Sequence, residues 1–293
     1  MESVFDVIII GGSYAGLSAA MTLGRSMRQV LVIDTNKACN RFAPHSHNFI
    51  TQDGQAPAAI AQAARVQVLA YPTVELVQGL AVAARGADGA FEIEIETGLV
   101  YKAKKLLFTT GLRDLLPAIE GLKECWGKSV IHCPYCHGYE VRGVPTGILM
   151  NDERVIDVAR LIGHWSTDLT IYTNGIAQFD LAQLPPTVRV FEAPIHALVH
   201  QEGQLEAITF ENGESCGVEA LYYRPVSEQH CSLPEKLGCT LTEAGHLEVD
   251  VFQQTTVAGI LAAGDCATYF RAVSVAVAEG TKAGATLNRQ LLA

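Results

Sequence analysis

A chain of 293 residues is long for one small domain and comfortable for two, each able to bury its own core. Hydrophobic residues make up 49% and charged residues 18%, with no repetitive or polar tract, which excludes a disordered or fibrous chain. A formal net charge of -10, with few Lys and Arg and no basic stripe, argues against a nucleic-acid or anionic-membrane partner.

Val4 to Ile10 is a short apolar run without the basic flank or cleavage site of a secretory signal, and no apolar stretch reaches the roughly 20 residues that span a bilayer. A cytoplasmic protein is therefore expected, and in that compartment the eight cysteines are not a disulfide framework. The run reads as a buried strand, followed by the turn Gly11-Gly12-Ser13-Tyr14-Ala15-Gly16 and an Ala/Leu-rich helix to about Arg25. Val30 to Ile33 is a second buried strand ending in Asp34, so the first stretch forms a βαβ unit and implies a doubly wound α/β sheet. Pro57 to Leu69 has a helical pattern; Phe91 to Glu96 alternates apolar and acidic residues as a half-exposed hairpin strand does; Lys105 to Thr110 is a further strand closing on Gly111.

Beyond Pro117 a second, smaller α/β unit starts, with strands at Val130-Ile131, Thr146 to Met150 and Leu169 to Tyr172 and a helix from Val155 to His164. Leu205 to Phe210 and Ala220 to Tyr223 add strands, and Gly259 to Asp265 returns a buried strand to a Gly-Asp turn before the final helix. The expected division is one discontinuous domain, 1–115 with 246–293, interrupted by a central domain, 116–245.

The turn at Gly11 to Gly16 stands where a pyrophosphate meets the N–H groups and positive dipole end of a helix. Asp34, about 20 residues on, is where a carboxylate bonds ribose hydroxyls, so strand, turn, helix and acid together indicate a dinucleotide site. Gly11, Gly12, Ser13, Ala15, Gly16 and Asp34 are its first candidates, with Ser13 departing from the usual second glycine. Thr110 with Gly111, and Gly264 with Asp265, end two other strands that would meet the same crevice. Cys133-Pro134-Tyr135-Cys136 reads as a small-loop redox dithiol at the start of a helical turn, with His137 placed to take or return a thiol proton. A closed zinc site would draw on well-separated ligand pairs, and no second CxxC exists.

These segments together resemble the low-molecular-weight thioredoxin reductases, two-domain flavoprotein disulfide oxidoreductases, along nearly the whole length. The resemblance implies FAD as the dinucleotide, with Asn48, in the loop Pro44-His45-Ser46-His47-Asn48-Phe49, and Ala272 as further contacts, and it implies a homodimer. It implies that Cys136 exchanges electrons with the flavin while Cys133 attacks a substrate disulfide. Ordinary members carry an aspartate in the place of His137; the run Cys136-His137-Gly138-Tyr139-Glu140 is similar to the dithiol oxidase branch, which uses oxygen as acceptor.

One expected motif is missing. Thr146 to Met150 runs into Asn151-Asp152-Glu153-Arg154 with no glycine and with two acids where a second pyrophosphate would approach, so a degenerate nucleotide-binding fold without ordinary NADPH binding is expected. The partners are then a dithiol or disulfide, as a small molecule or on a thioredoxin-like protein, with oxygen or ferredoxin as electron partner. The alternatives are an NADPH- or ferredoxin-dependent thioredoxin reductase, and a flavin-binding redox sensor without turnover. Cys39, Cys125, Cys216, Cys231, Cys239 and Cys266 are expected to be inert buried thiols.

Overall fold

In the strand Val4–Ile10, Val7 and Ile9 belong to one apolar cluster and Ile8 and Ile10 to another, as the two-residue period of a strand dictates. A run this apolar is stable only where both faces of the sheet are covered, and here they are. The structure, a computed structural model, describes residues 4–292. The expected domain limits at Met1 and Ala293 fall outside the described residues.

Two units emerge, Met1–Arg41 with Ala58–Arg113 and Ser227–Ala293, and Phe42–Pro57 with Asp114–Val226. In the first, Val4–Ile10 pairs in parallel with Val30–Asp34 and Val100–Phe108; Val74–Gln78 extends the sheet beyond Val30–Asp34, and Ile260–Ala262 adds to Val100–Phe108. The alternating segment is the strand Ala90–Ile95, joined antiparallel to Ala81–Ala87 and to the first half of Val100–Phe108, with Phe91, Ile93 and Ile95 buried. Val7, Ile9, Val30 and Val32 pack under the helices Tyr14–Arg25 and Val273–Gln290, and Ile8, Leu31, Phe108 and Ile260 pack with the hairpin residues and Leu233.

The two helices meet through small residues. A Cβ on Gly280 would lie 2.1 Å from the Ala15 carbonyl oxygen, and one on Gly284 would lie 2.9 Å from that of Ala19. Ser18 Oγ donates to the Val277 carbonyl at 2.8 Å, which the close approach makes possible.

The second unit has a five-stranded parallel sheet in the order Arg189–Phe191, Leu169–Tyr172, Thr146–Leu149, Ala220–Tyr223, Val130–Ile131. The helix Val155–Ile162 covers one face through Val155, Ile156, Ala159 and Ile162. An antiparallel sheet of Ile195–Gln201, Gln204–Phe210 and Ser215–Gly217 supplies Leu198, Leu205, Ile208 and Phe210 to the cluster on the other face.

The division differs from the sequence-based expectation at three places. Phe42–Pro57 and residues 114–115 fold with the CxxC-bearing unit, and residues 227–245 fold with the first unit. Leu233 and Cys239 explain the latter, being buried in the same cluster as Phe91 and Ile260.

Alanine at position 280 gains about 1 kcal/mol of helix propensity over glycine but must relieve the overlap with the Ala15 backbone, a repacking that costs about 1–3 kcal/mol. Gly280→Ala should therefore lower the urea midpoint at unchanged slope; an unchanged or raised midpoint contradicts the packing described.

Candidate active site

The glycine turn is shaped by close backbone contacts. Gly11 has φ +108°, and a Cβ there would lie 2.3 Å from the Thr109 carbonyl oxygen; a Cβ on Gly16 would lie 1.9 Å from the Gly11 carbonyl oxygen. Thr109 ties the turn down, its hydroxyl donating to the Gly11 carbonyl at 2.6 Å. Gly12 abuts Asp34, whose Cβ lies 2.8 Å from where a side chain would start. Ser13 is the N-cap of Tyr14–Arg25; no side chain caps this helix and its first turn carries no acid, so its leading N–H groups face outward with the positive end of the dipole. Ala15 is buried against Gly264.

Thr110 Oγ1 is buried without a hydrogen-bond partner, and Gly111, at φ +66°, has open space where a side chain would project. Gly264 donates its N–H to Glu279 Oε2 at 2.8 Å, and burial raises that carboxyl above its ordinary range. Asp265 accepts from Arg271 Nε at 3.2 Å, while Arg271 Nη2 reaches Cys39 Sγ at 2.8 Å. Ala272 is the extended N-cap of the last helix. Sequence reading missed Arg65, which pairs with Asp34 at 2.5 Å from the helix Pro57–Leu69; an arginine on a helical face carries no signal of its own. Asn48 stands apart from these residues in the chain's division, since it folds with the second unit, where its N–H bonds Asp53 at 2.8 Å.

In the second unit the CxxC follows the strand Val130–Ile131. Cys133 is the extended N-cap of the four-residue helix Pro134–His137, and its carbonyl accepts the N–H groups of Cys136 and His137, each at 3.2 Å. The two half-buried cysteines therefore stand at the two ends of one turn. Gly138 is required behind it, because a Cβ there would lie 2.4 Å from the Pro134 carbonyl oxygen and 3.1 Å from the Trp165 ring, which also meets Tyr135 edge-on. So short a helix has little macrodipole.

Burial holds the His137 imidazole below its ordinary range, against the upward pull of Glu140 and with a downward push from His47. His47 lies 3.6 Å from Glu140 Oε1 and 3.6 Å from Asp53 Oδ1, and His45 Nδ1 is 2.9 Å from the Gly54 carbonyl oxygen, so this loop flanks the CxxC turn. Tyr222, also missed in the sequence, is buried at the end of the strand Ala220–Tyr223, with its hydroxyl unpartnered. Its only sequence signal is the strand's position in a parallel sheet, whose carboxyl ends border ligand crevices.

Of the remaining cysteines, Cys125, Cys239 and Cys266 are buried and pushed up by that burial, Cys266 to about 12. Cys39, Cys216 and Cys231 are half-buried, so burial is incomplete for half of the group expected to be fully enclosed.

The helix start after Thr146–Leu149 contrasts with the first. Asp152 Oδ1 accepts the Arg154 N–H at 3.0 Å, and both carboxylate oxygens hold the Arg154 guanidinium, at 2.8 and 2.7 Å. The bonds to Arg154 keep the Asp152 carboxyl below its usual range. The Asp152 carboxylate, expected to repel an anion, is thus neutralised in part by the Arg154 guanidinium. Asn151 accepts from the Gln178 N–H at 2.7 Å and donates to the Ile176 carbonyl at 2.9 Å, tying the loop after Leu169–Tyr172 to this turn. No helix among the described residues is long and apolar enough to cross a membrane.

The pyridine nucleotide-disulphide oxidoreductase family matches residues 5–158 and 195–280. The chain is 31% identical to thioredoxin reductase sirT of Leptosphaeria maculans, over 99% of this chain and 95% of that one. It is 32% identical to thioredoxin reductase tcpT of Claviceps purpurea, over 100% and 96%. The crystal structure of an oxidoreductase from Agrobacterium tumefaciens superposes with a TM-score of 0.93 at 39% identity, covering 99% of both chains. Thioredoxin reductase-like members of the family bind FAD, and the residues present fit its ADP half: an uncapped helix start, glycines that leave room beside it, the Asp34 carboxylate next to Gly12 and an unpartnered Thr110 hydroxyl. The chain belongs to the pyridine nucleotide-disulphide oxidoreductase family, as a thioredoxin reductase-like, FAD-binding enzyme.

Proposed function

We propose that the protein exchanges two electrons between FAD and a dithiol or disulfide through Cys133 and Cys136, without ordinary NADPH binding. The observation that carries this reading is the pair of half-buried cysteines at the two ends of one turn, beside the half-buried imidazole of His137. The resemblance assigns Cys136 to the flavin and Cys133 to the substrate. Bound FAD supplies a two-electron acceptor and donor. Gly11, Gly12, Ser13, Ala15 and Gly16 would receive its pyrophosphate, Asp34 its ribose, and Thr110, Gly111, Gly264, Asp265 and Ala272 the rest of the cofactor, with Asn48 as the further contact that the resemblance implies.

His137 acts as acid and base for the thiols. Its lowered range makes the ring neutral at neutral pH and able to accept a thiol proton; below that range the ring is protonated and this capacity is lost. Asp152 supports loss of the nicotinamide site, because its carboxylate takes the N–H at the helix start where a second pyrophosphate would bind. Oxygen or ferredoxin then serves as electron partner. The thioredoxin reductase names of the relatives favour the opposite direction, reduction of a thioredoxin-like protein, which needs an electron donor. A homodimer in the cytoplasm completes the reading.

Under anaerobic conditions a dithiol should bleach the flavin absorbance, with recovery in air, while NADPH at low concentration leaves it unchanged; rapid bleaching by NADPH overturns the nicotinamide part. Cys136→Ser should keep FAD bound and lose transfer from dithiol to flavin, and retained transfer removes Cys136 from the mechanism. His137→Ala should slow the same transfer by about 10²-fold, the size of general acid-base assistance; a rate within twofold of the parent shows that the imidazole carries no proton in the slow step.

A further inference from the structure

The strand Val30–Asp34 ends on a carboxylate whose two oxygens stand in different surroundings. Asp34 Oδ2 accepts from Arg65 Nη2 at 2.5 Å, and among the described residues Oδ1 takes no hydrogen bond. The glycine turn comes up to the same carboxylate: a Cβ on Gly12 would lie 2.8 Å from Asp34 Cβ and 3.1 Å from Oδ2. The backbone is held as well, the Asp34 carbonyl accepting the Gly79 N–H at 3.0 Å. Arg65 is brought to this place by packing, because Ala64 and Val68 of the helix Pro57–Leu69 join the cluster of Val7, Ile9, Val30 and Val32. The Asp34 and Arg65 side chains are 12% and 22% exposed, so solvent screens the pair far less than an ion pair on the surface. Arg65 Nε is buried without a partner, and a guanidinium donor left in that state costs stability unless a ligand group meets it.

We infer that Arg65 is a positioning residue for FAD, which grips Asp34 by Oδ2 and leaves Oδ1 to the hydroxyls of the adenosine ribose. The inference rests on the reading of Asp34 as the ribose acceptor. A carboxylate on its own turns about its side-chain bonds and loses that freedom when a ligand binds; the bond from Arg65 removes the freedom beforehand. Ribose hydroxyls donate and an ionised carboxylate only accepts, so one open oxygen suffices for the contact. The second effect is electrostatic. Gly12 belongs to the turn assigned to the pyrophosphate, and an unpaired carboxylate against that turn would repel the anion. The Arg65 guanidinium on the same carboxylate offsets its charge. Sequence spacing shows the acid but not this partner, which lies 31 residues further along the chain.

The test follows release of FAD from the full-length holoenzyme after dilution, read as the rise in fluorescence of the freed flavin. Arg65→Met should release FAD about tenfold faster than the parent, the size of one charge-assisted hydrogen bond weakened at the ligand's acceptor. Arg65→Gln should act in the same direction and serves if the Met chain does not accumulate with flavin. Asp34→Asn should also release faster, and the double variant Asp34→Asn, Arg65→Met no faster than Asp34→Asn alone, because Arg65 acts through that carboxylate. An arginine that merely steadies the helix would add its own acceleration in the double variant. That additive result overturns the assignment of Arg65, as does an Arg65→Met rate within about twofold of the parent while Asp34→Asn is faster. An Asp34→Asn rate within about twofold of the parent overturns Asp34 as the ribose acceptor, and this inference with it.

Discussion

The N–H groups that open a helix need an acceptor, and a chain can leave them for a ligand anion or satisfy them with its own carboxylate. Both solutions occur here in the same parallel-sheet setting. After Val4–Ile10, Ser13 leaves the helix start uncapped, no acid follows in the first turn, and Gly11, Gly12 and Gly16 bring backbone within reach of a bound pyrophosphate. After Thr146–Leu149, Asp152 accepts the Arg154 N–H and grips its guanidinium, while Asn151 ties down the neighbouring loop. The first arrangement fits FAD, and the second motivates the proposal that the nicotinamide function has been given up within a family defined by it.

The turn that carries Cys133 and Cys136 shows the same economy of groups. Four residues of helix cannot supply a strong field, and the side chains around this turn include the half-buried imidazole of His137 and the carboxylate of Glu140, 3.6 Å from His47. Gly138 lets the Trp165 ring press against the back of the turn, which limits its freedom to unwind.

Much of the fold was legible where one physical requirement dominates a short stretch. The apolar run Val4–Ile10 required two covered faces, the alternation of Phe91, Ile93 and Ile95 with glutamates required one wet face, and Gly11 and Gly16 stand where any side chain would strike backbone. Less was legible where contacts join distant segments. Phe42–Pro57 has no periodicity, and only the fold reveals that it accompanies the CxxC; Leu233 and Cys239 lie in a stretch too irregular to announce their place in the first core. Arg65 on Asp34, and Tyr222 two residues across from the run into Cys133, are products of register and packing that spacing along the chain does not encode.

The most direct test of two helix starts with opposite fates is calorimetric titration of the purified, oxidised protein with NADPH, alongside the flavin content of the same sample. One FAD per chain with no saturable heat from NADPH up to about 1 mM, a Kd too weak to count as a built site, is the expected result. Saturable binding in the micromolar range, lost when the Asn151 to Arg154 turn is altered, would contradict it.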